Sequence, residues 1–356
     1  MASGVSIEVL DLRHFAAPLL RPLLEAEGDL WRQRLHWDYR TSAKLLMQYL
    51  DSHMLPGYVA MEAGQVTGYG FCVYEESKAV IGDVFALSDR SVEPVSERET
   101  AYRVVGFTPV VEPAREVEET LLRHLFETLQ NSPHVDRVES QLLLHPSGSH
   151  AGCFRSAGFE IYPRLFMVQQ LSGVWNMPRP NLPAQLELRA WRDDDLNLAG
   201  RLIADAYAGH PDSLINDQYR SAQGSLRFLH NIVRYSGCGA FSPQVSHVIV
   251  DRSSRELIAL VLGSRVSAQS GHITQLCVRP RYRRLGLARL LLSVAATCFF
   301  RQGVSEISLT VTEANVNAIE LYRGEGYECV HTFDAAVWER ERFWPTGGLK
   351  AFSESA

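Results

Sequence analysis

The run Arg283-Arg284-Leu285-Gly286-Leu287-Ala288 carries the plainest chemistry in this 356-residue chain. A short, mostly apolar segment, Gln275-Leu276-Cys277-Val278, leads through Arg279 into Pro280 just before it. A helix-period stripe of Leu287, Leu290, Leu291, Val294 and Cys298 begins inside it. Strand, small-residue turn and helix start together form an anion cradle. The first-turn N–H groups have no intrahelical acceptor, and the helix dipole places partial positive charge there. Gly286 and Ala288 leave that backbone uncovered. Arg279, Arg281, Arg283, Arg284 and Arg289 crowd the same turn in a chain of formal net charge -6. Residues of these types at this spacing suit a ligand that bears phosphate.

The elements that must hold such a turn are those of an ordinary globular protein. Hydrophobic residues make up 46% of the chain and charged ones 21%, and the length suits two domains. The N-terminal residues show no basic, apolar leader, and the apolar run from Leu287 to Phe300 is interrupted by Arg289. Six scattered cysteines without a C-x-x-C pair argue against a disulfide or zinc framework and suit a reducing cytoplasm. Residues 1–172 hold 15 Lys and Arg against 23 Asp and Glu, a net of -8, and the remainder is at +2. Neither half has the basic face of a nucleic-acid binder. The expectation is a cytoplasmic protein without metal, membrane or nucleic-acid partners, as monomer or homodimer.

In order, the first half predicts helices around Leu12–Leu24 and Ser42–Asp51, then strands at Tyr58–Glu62, Gln65–Tyr74 and Ala79–Ala86. A polar loop at Ser88–Thr100 precedes a segment, Arg103–Glu112, that ends at Pro113. A helix through Leu121–Phe126, a strand at Val135–Leu144, a short helix ending at Gly158 and a strand at Glu160–Gln169 follow. Residues 173–184 hold three prolines and read as a linker. The second half, 185–340, predicts strand, helices over Asp193–Tyr235, a hairpin (His247–Asp251, Glu256–Val266), the anion turn and its helix. It closes with a strand at Glu306–Thr312, a helix from Asn315 to Glu325 and a strand from Tyr327. Residues 341–356 form a tail. Phe154-Arg-Ser-Ala-Gly158-Phe159 aligns with Tyr322-Arg-Gly-Glu-Gly326-Tyr327 at an offset of 168, and Pro113 with Pro280 at 167. The two halves therefore read as a duplicated domain.

Two motifs carry a resemblance. Arg283-Arg-Leu-Gly286-Leu-Ala288 fits a [Q/R]-x-x-G-x-[G/A] loop. Asn315-Val-Asn-Ala318-Ile-Glu-Leu321-Tyr322-Arg-Gly-Glu-Gly326-Tyr327 fits N-x-x-A-x-x-L-Y-x-x-x-G-[F/Y]. In this order, over roughly Leu186 to Arg340, the second half resembles the GNAT superfamily of acyl-CoA N-acyltransferases. The whole chain resembles tandem-GNAT proteins with a mycothiol-synthase-like two-domain plan. The resemblance implies an α/β (α+β) fold of two tandem GNAT units, each a mixed, splayed β-sheet flanked by helices. It implies acetyl-CoA or another acyl-CoA as co-substrate.

The resemblance also implies roles. Arg283, Arg284, Leu285, Gly286, Leu287, Ala288 and Arg289 would hold the pyrophosphate, chiefly through backbone N–H groups. Leu276, Cys277 and Val278 would pair with the pantetheine arm, one N–H polarising the acyl carbonyl. Cys277 is not expected to be a nucleophile, since no His or Asp is placed to activate it. Asn315 would lie beside the pantetheine, cap its helix, or both. Tyr322 would protonate the departing thiolate, which a phenol can do at neutral pH. Its other reading is a core aromatic. Many relatives carry glutamate where this chain has Gln275, so the base falls to Glu313 or His247. Asp212, Asn216, Asp217, Tyr219 and Tyr235 would select a small-molecule or peptide amine.

The first half departs from the pattern. Its counterpart of the loop, Pro113-Ala-Arg-Glu116-Val-Glu118-Glu119-Thr-Leu-Leu122, has no glycine, and its carboxylates would face the pyrophosphate and repel it. Phe154 replaces the tyrosine. The expectation is an N-acetyltransferase working in its second half, the first half buttressing it or walling the acceptor site. The competing class is a non-catalytic acyl-CoA sensor, and nucleic-acid binding ranks last.

Overall fold

The repeat is a repeat of elements. A computed structural model describes residues 6–87, 114–173, 177–178, 182–234 and 239–340. The loop at Ser88–Thr100, the segment Arg103–Glu112, Tyr235 and the tail lie outside them. In chain order the elements are β1 (Glu8–Asp11), α1 (Ala17–Leu35), α2 (Arg40–Asp51), β2 (Gly57–Glu62), β3 (Gln65–Glu75) and β4 (Lys78–Ala86). Then come α3 (Arg115–Asn131), β5 (Arg137–Gln141), α4 (Ala151–Ser156) and β6 (Glu160–Gln170). The second half has β7 (Leu186–Ala190), α5 (Leu196–Tyr207), α6 (Asp212–Ile215), α7 (Ala222–Arg234), β8 (Ala240–Phe241), β9 (His247–Asp251), β10 (Leu257–Arg265) and β11 (Ser270–Val278). It closes with α8 (Leu287–Arg301), β12 (Glu306–Thr312), α9 (Val316–Gly324) and β13 (Glu328–Glu339). The run β4-α3-β5-α4-β6 thus matches β11-α8-β12-α9-β13.

Strands fall close to where alternation places them, with one shortened. The strand expected over Val135–Leu144 ends at Gln141. There the chain turns back, Leu143 N–H donating to Gln141 O at 3.1 Å and His145 N–H to Leu142 O at 3.0 Å.

Both halves share one sheet, in the order β1-β2-β3-β4-β5-β13-β6-β12-β11-β10-β9-β7. The order reveals an exchange. The last strand of the first half, β6, lies between β13 and β12 of the second, while β13 lies between β5 and β6. Each half completes its partner's sheet. A boundary drawn at residue 172 therefore separates the sequence repeats but not the hydrogen-bonded units.

Two parallel pairs break the antiparallel pattern. β4 and β5 pair from Lys78↔Arg137 to Ile81↔Ser140, and β11 and β12 from Ser270↔Glu306 to Ile273↔Leu309. Beyond these registers the longer strand runs on, β4 to Ala86 and β11 to Val278, and the sheet splays. Helices α3 and α8 cross over from the end of each long strand. Phe299 on α8 seats on Gly263 and Gly271, where an added Cβ would stand 2.9 and 2.6 Å from its ring atoms. Glycine at those two positions lets the helix lie close on the sheet. A buried polar cluster joins the halves: Lys78 Nζ donates to Glu139 (3.1 Å) and to Asp217 (2.6 Å), and Arg137 binds Glu139 (2.6 Å) and Ile215 O (3.2 Å). No helix among the described residues is long and apolar enough to cross a membrane.

Candidate active site

The second splay opens onto a cavity of about 1000 Å³. Its walls include Leu276, Cys277 and Val278 on the unpaired edge of β11, the turn residues Arg283, Arg284, Gly286, Leu287, Ala288 and Arg289, and Asn315 and Tyr322 across the gap. The residues expected to hold an acyl-CoA are thus assembled in one place. Leu285 is the exception among the turn residues: its side chain is 54% exposed and does not line the cavity.

The turn is built on left-handed backbone. Arg284 has φ 66° and Gly286 φ 74° with ψ 5°, and Gly286 precedes α8 as its N-cap. No atom lies within 4 Å of where a Cβ on Gly286 would be. Conformation, not crowding, therefore calls for glycine. Leu287, only 3% exposed, plugs the first turn into the core. The N–H groups of that turn remain aimed outward, where an anion can take them.

The arginine cluster is less free than its composition implies. Arg279 pairs with Asp205 and Glu256, Arg281 with Glu256, and Arg289 with Glu325 at 2.6 Å. Arg283 donates to Ala206 O (2.7 Å) at the end of α5 and to Val278 O (3.3 Å) at the end of β11. It fastens the turn to its neighbours by satisfying carbonyls that secondary structure leaves open. Arg284 is the arginine of the group whose side chain has no such partner among the described residues. The turn's attraction for anions therefore rests on backbone dipoles and Arg284.

Tyr322 is buried, and its hydroxyl is held well above the usual phenol range by burial and by the carboxylate of Asp212, against a smaller pull from Arg164. It is fully protonated at neutral pH, as a proton donor must be. Asn315 caps its helix, its Oδ1 accepting from Ala318 N–H at 3.3 Å, and lines the cavity. Cys277 is 6% exposed, and burial raises its thiol far above neutral pH. A thiol that stays protonated is a poor nucleophile.

Both residues expected to act as base lie off the cavity. Glu313 is exposed at the end of β12, and His247 is half-buried on β9 with Nδ1 against Val245 O. Gln275 does line the cavity, 5% exposed, with its Nε2 lacking any acceptor. Asp212, Asn216 and Tyr219 line it too, whereas Asp217 is held by Lys78 in the joint between the halves. Asp212 Oδ1 accepts from Thr312 Oγ1 at 2.5 Å, its backbone N–H donates to His210 Nδ1 at 3.1 Å, and its Oδ2 lies 3.9 Å from the same nitrogen.

Sequence reading allowed for a wall from the first half but named none of its residues, which are Trp31, Trp37, Asp83, Gln141 and Arg164. Arg164 carried a readable signal, a lone cation within the apolar strand Leu165-Phe-Met-Val. Trp37 and Asp83 carried none, because only the exchanged strands bring them to the second half's cleft.

The equivalent splay in the first half is filled by its own side chains. Glu118 on α3 is 1% exposed, its Oε1 accepting from Ala86 N–H at 3.2 Å. Its Oε2 lies 3.2 Å from His150 Nε2 and 3.6 Å from His145 Nδ1, while His145 Nε2 donates to Val84 O at 3.0 Å. The carboxylate expected to repel a pyrophosphate is thus turned inward as a plug. Glu116 is exposed, and Glu119 pairs with Arg115 and Arg123, so only one of the three acids enters the cleft. Phe154, the counterpart of Tyr322, packs on Phe126 and Phe159.

Residues 214–327 match the acetyltransferase (GNAT) family profile. A GCN5-related N-acetyltransferase from Sphaerobacter thermophilus superposes with a TM-score of 0.60 at 16% identity, over 94% of this chain and 95% of that one. A tandem GNAT protein from the clavulanic acid biosynthesis pathway gives 0.54 at 13%, over 95% and 99%. The glucosamine N-acetyltransferase region of a fungal multi-domain β-N-acetylglucosaminidase gives 0.58 at 11%, over 95% of this chain and 38% of that one. Profile and fold agree: residues 214–327 are similar to the acetyltransferase (GNAT) family, and the chain as a whole has the fold of tandem GNAT proteins.

Proposed function

We propose that the chain transfers an acyl group, acetyl in the simplest case, from acyl-CoA to a primary amine by direct attack in its second half. The observation that carries this reading is the juxtaposition in one cavity of the unpaired β11 edge, the left-handed turn at Gly286 and the protonated phenol of Tyr322. The cavity's size and the open space over Gly286 fit an acyl-CoA, which supplies a thioester-activated acyl group.

The turn at Arg284–Arg289 binds the pyrophosphate. Backbone groups of Leu276–Val278 orient the arm, and one N–H there stabilises the negative charge that develops on the acyl oxygen. The amine nitrogen forms the new C–N bond, and the C–S bond breaks. Tyr322 gives its proton to the departing sulfur, and the proton shed by the attacking nitrogen passes to Asp212. Asp212 serves as the base, since its Oδ2 is free of short hydrogen bonds and it lines the cavity. Two supports favour this over Glu313 or His247: position in the cavity, and proximity to Tyr322.

Thiol release from acetyl-CoA with a panel of amines tests the reading. Tyr322→Phe should lower kcat about 10²-fold or more, the usual contribution of a positioned acid, with acetyl-CoA affinity retained. Binding of acetyl-CoA without turnover on any amine would instead support the sensor reading.

A further inference from the structure

The cavity contains a cation, Arg164, whose partners among the described residues are all neutral. Arg164 stands on β6, opposite Thr312 of β12 and Phe333 of β13. Its guanidinium donates to the side-chain carbonyl of Gln141 and to Thr310 Oγ1 (3.3 Å), and it lies 5.7 Å from the centroid of the Phe333 ring. All three partners are neutral. Among the described residues no carboxylate pairs with it, and its Nε has no acceptor. Two more buried donors on the same cavity are equally unmet: Trp37 Nε1, on a residue 8% exposed, and Gln275 Nε2, on one 5% exposed. Buried donors without acceptors are costly, and interior arginines are normally paired with an acid.

We propose that the acceptor amine carries a carboxylate, anchored by Arg164 with Trp37 and Gln275 donating to its oxygens. The site deepens the acyltransferase reading and rests on it for the identity of the reacting group. A planar carboxylate matches the fork of a guanidinium. One cation with two neutral donors balances a single negative charge. Asp212 lines the same cavity, where it would repel a dianion such as phosphate and suits the ammonium end of the acceptor. Arg164 and Trp37 both come from the half whose own cleft is plugged. That half therefore supplies acceptor recognition through the strand it hands to its neighbour.

The test uses the full chain and matched pairs of amines, amino acids against their amides, with an aminophosphonate as a third arm. The wild type should favour the acid over the amide in kcat/KM by tenfold or more, as a charge-assisted anchor implies. Arg164→Gln should collapse that ratio by about 30-fold, and Arg164→Lys should restore part of it, losing the bidentate geometry but keeping the charge. Trp37→Phe keeps the ring and removes one donor, so it should lower the ratio about fivefold even if Arg164 variants fold poorly. An unchanged ratio in both Arg164→Gln and Trp37→Phe, or a phosphonate preferred over the acid, overturns the proposal. Calorimetry of the same pairs on the CoA-loaded protein separates the two readings. Arg164-dependent binding of acids without turnover upholds the carboxylate site and overturns acyl transfer. Turnover without acid preference does the reverse.

Discussion

Thr312 Oγ1, at the end of β12, donates a 2.5 Å hydrogen bond to Asp212 Oδ1, at the start of α6. The bond ties α6 to the strand that frames the cleft and holds a carboxylate near Tyr322. That carboxylate helps raise the phenol's pKa. Removing its charge lets the phenol ionise at lower pH. Asp212→Asn should therefore move the alkaline limb of the kcat–pH profile to lower pH, as well as slowing turnover by loss of the proposed base. Thr312→Val, which frees Asp212 without neutralising it, should slow turnover less and leave the limb near its wild-type position. A limb unmoved in Asp212→Asn would mean that Tyr322 does not set it.

Gly286 offers a sharper test of the turn. Its φ of 74° is strained for any side chain, yet nothing occupies the space a Cβ would enter. Gly286→Ala should cost about 1–2 kcal/mol of local strain and weaken acetyl-CoA binding by roughly tenfold. Gly286→Glu should weaken it further, since it adds like charge at an anion site. Isothermal titration separates the two effects. Equal losses from both would show that charge at the turn does not matter.

Local chemistry was legible in the sequence, and pairing between distant segments was not. Gly286 and Tyr322 were readable because a turn and a helix fix their neighbours within a few residues. The bounds of β12 and the capping role of Asn315 followed for the same reason. The exchange of β6 and β13 left no trace, because a strand's alternation says which face is buried, not which strand lies beside it. Arg164, Trp37 and Asp83 reach the cleft only through that exchange. Glu313 and His247, the residues expected to act as base, lie off the cavity, because spacing along a strand says nothing of which side chain clears the edge of the sheet.

The plug in the first half predicts a separation of stability from ligand binding. Glu118→Ala leaves Ala86 N–H without its acceptor and two buried histidines without their acid. A destabilisation of about 3 kcal/mol is expected, the low end for breaking a buried charged network. Acetyl-CoA affinity should not change, because the plug lies in the other splay. Urea denaturation and calorimetry on one preparation read both quantities. Weaker acetyl-CoA binding in a folded Glu118→Ala would place a second ligand site in the first half.

His272 makes stability depend on pH in a defined direction. It is 5% exposed between Trp37 and Phe166, with Nδ1 2.9 Å from Ser308 Oγ. Burial, helped by the charge of Arg164, lowers its pKa from 6.5 to about 3. Below pH 6.5 the unfolded chain takes up a proton that the folded chain refuses. Stability from this group is complete above 6.5 and falls by at most ~1.4 kcal/mol per pH unit down to about 3. His145, His247 and His331, also lowered by burial, act in the same sense. His272→Asn should flatten the decline between pH 6 and 4 in chemical denaturation. A slope equal to that of the wild type would show that His272 is charged in the folded chain.

The strand exchange predicts that neither half is complete alone. Residues 185–340 without β6 leave β12 and β13 with unpaired edges flanking an empty slot. Exposed edges of that kind recruit other strands. A fragment of residues 185–340 should therefore form swapped dimers or larger species in light scattering. Co-expression with residues 1–172 should restore a one-to-one complex whose first half hands over β6 as it does in the intact chain. Arg164 arrives on that strand, so acyl transfer to a carboxylated amine should return only with the complex. A monomeric 185–340 fragment with full activity would show that the second half closes its own sheet and that β6 is dispensable to it.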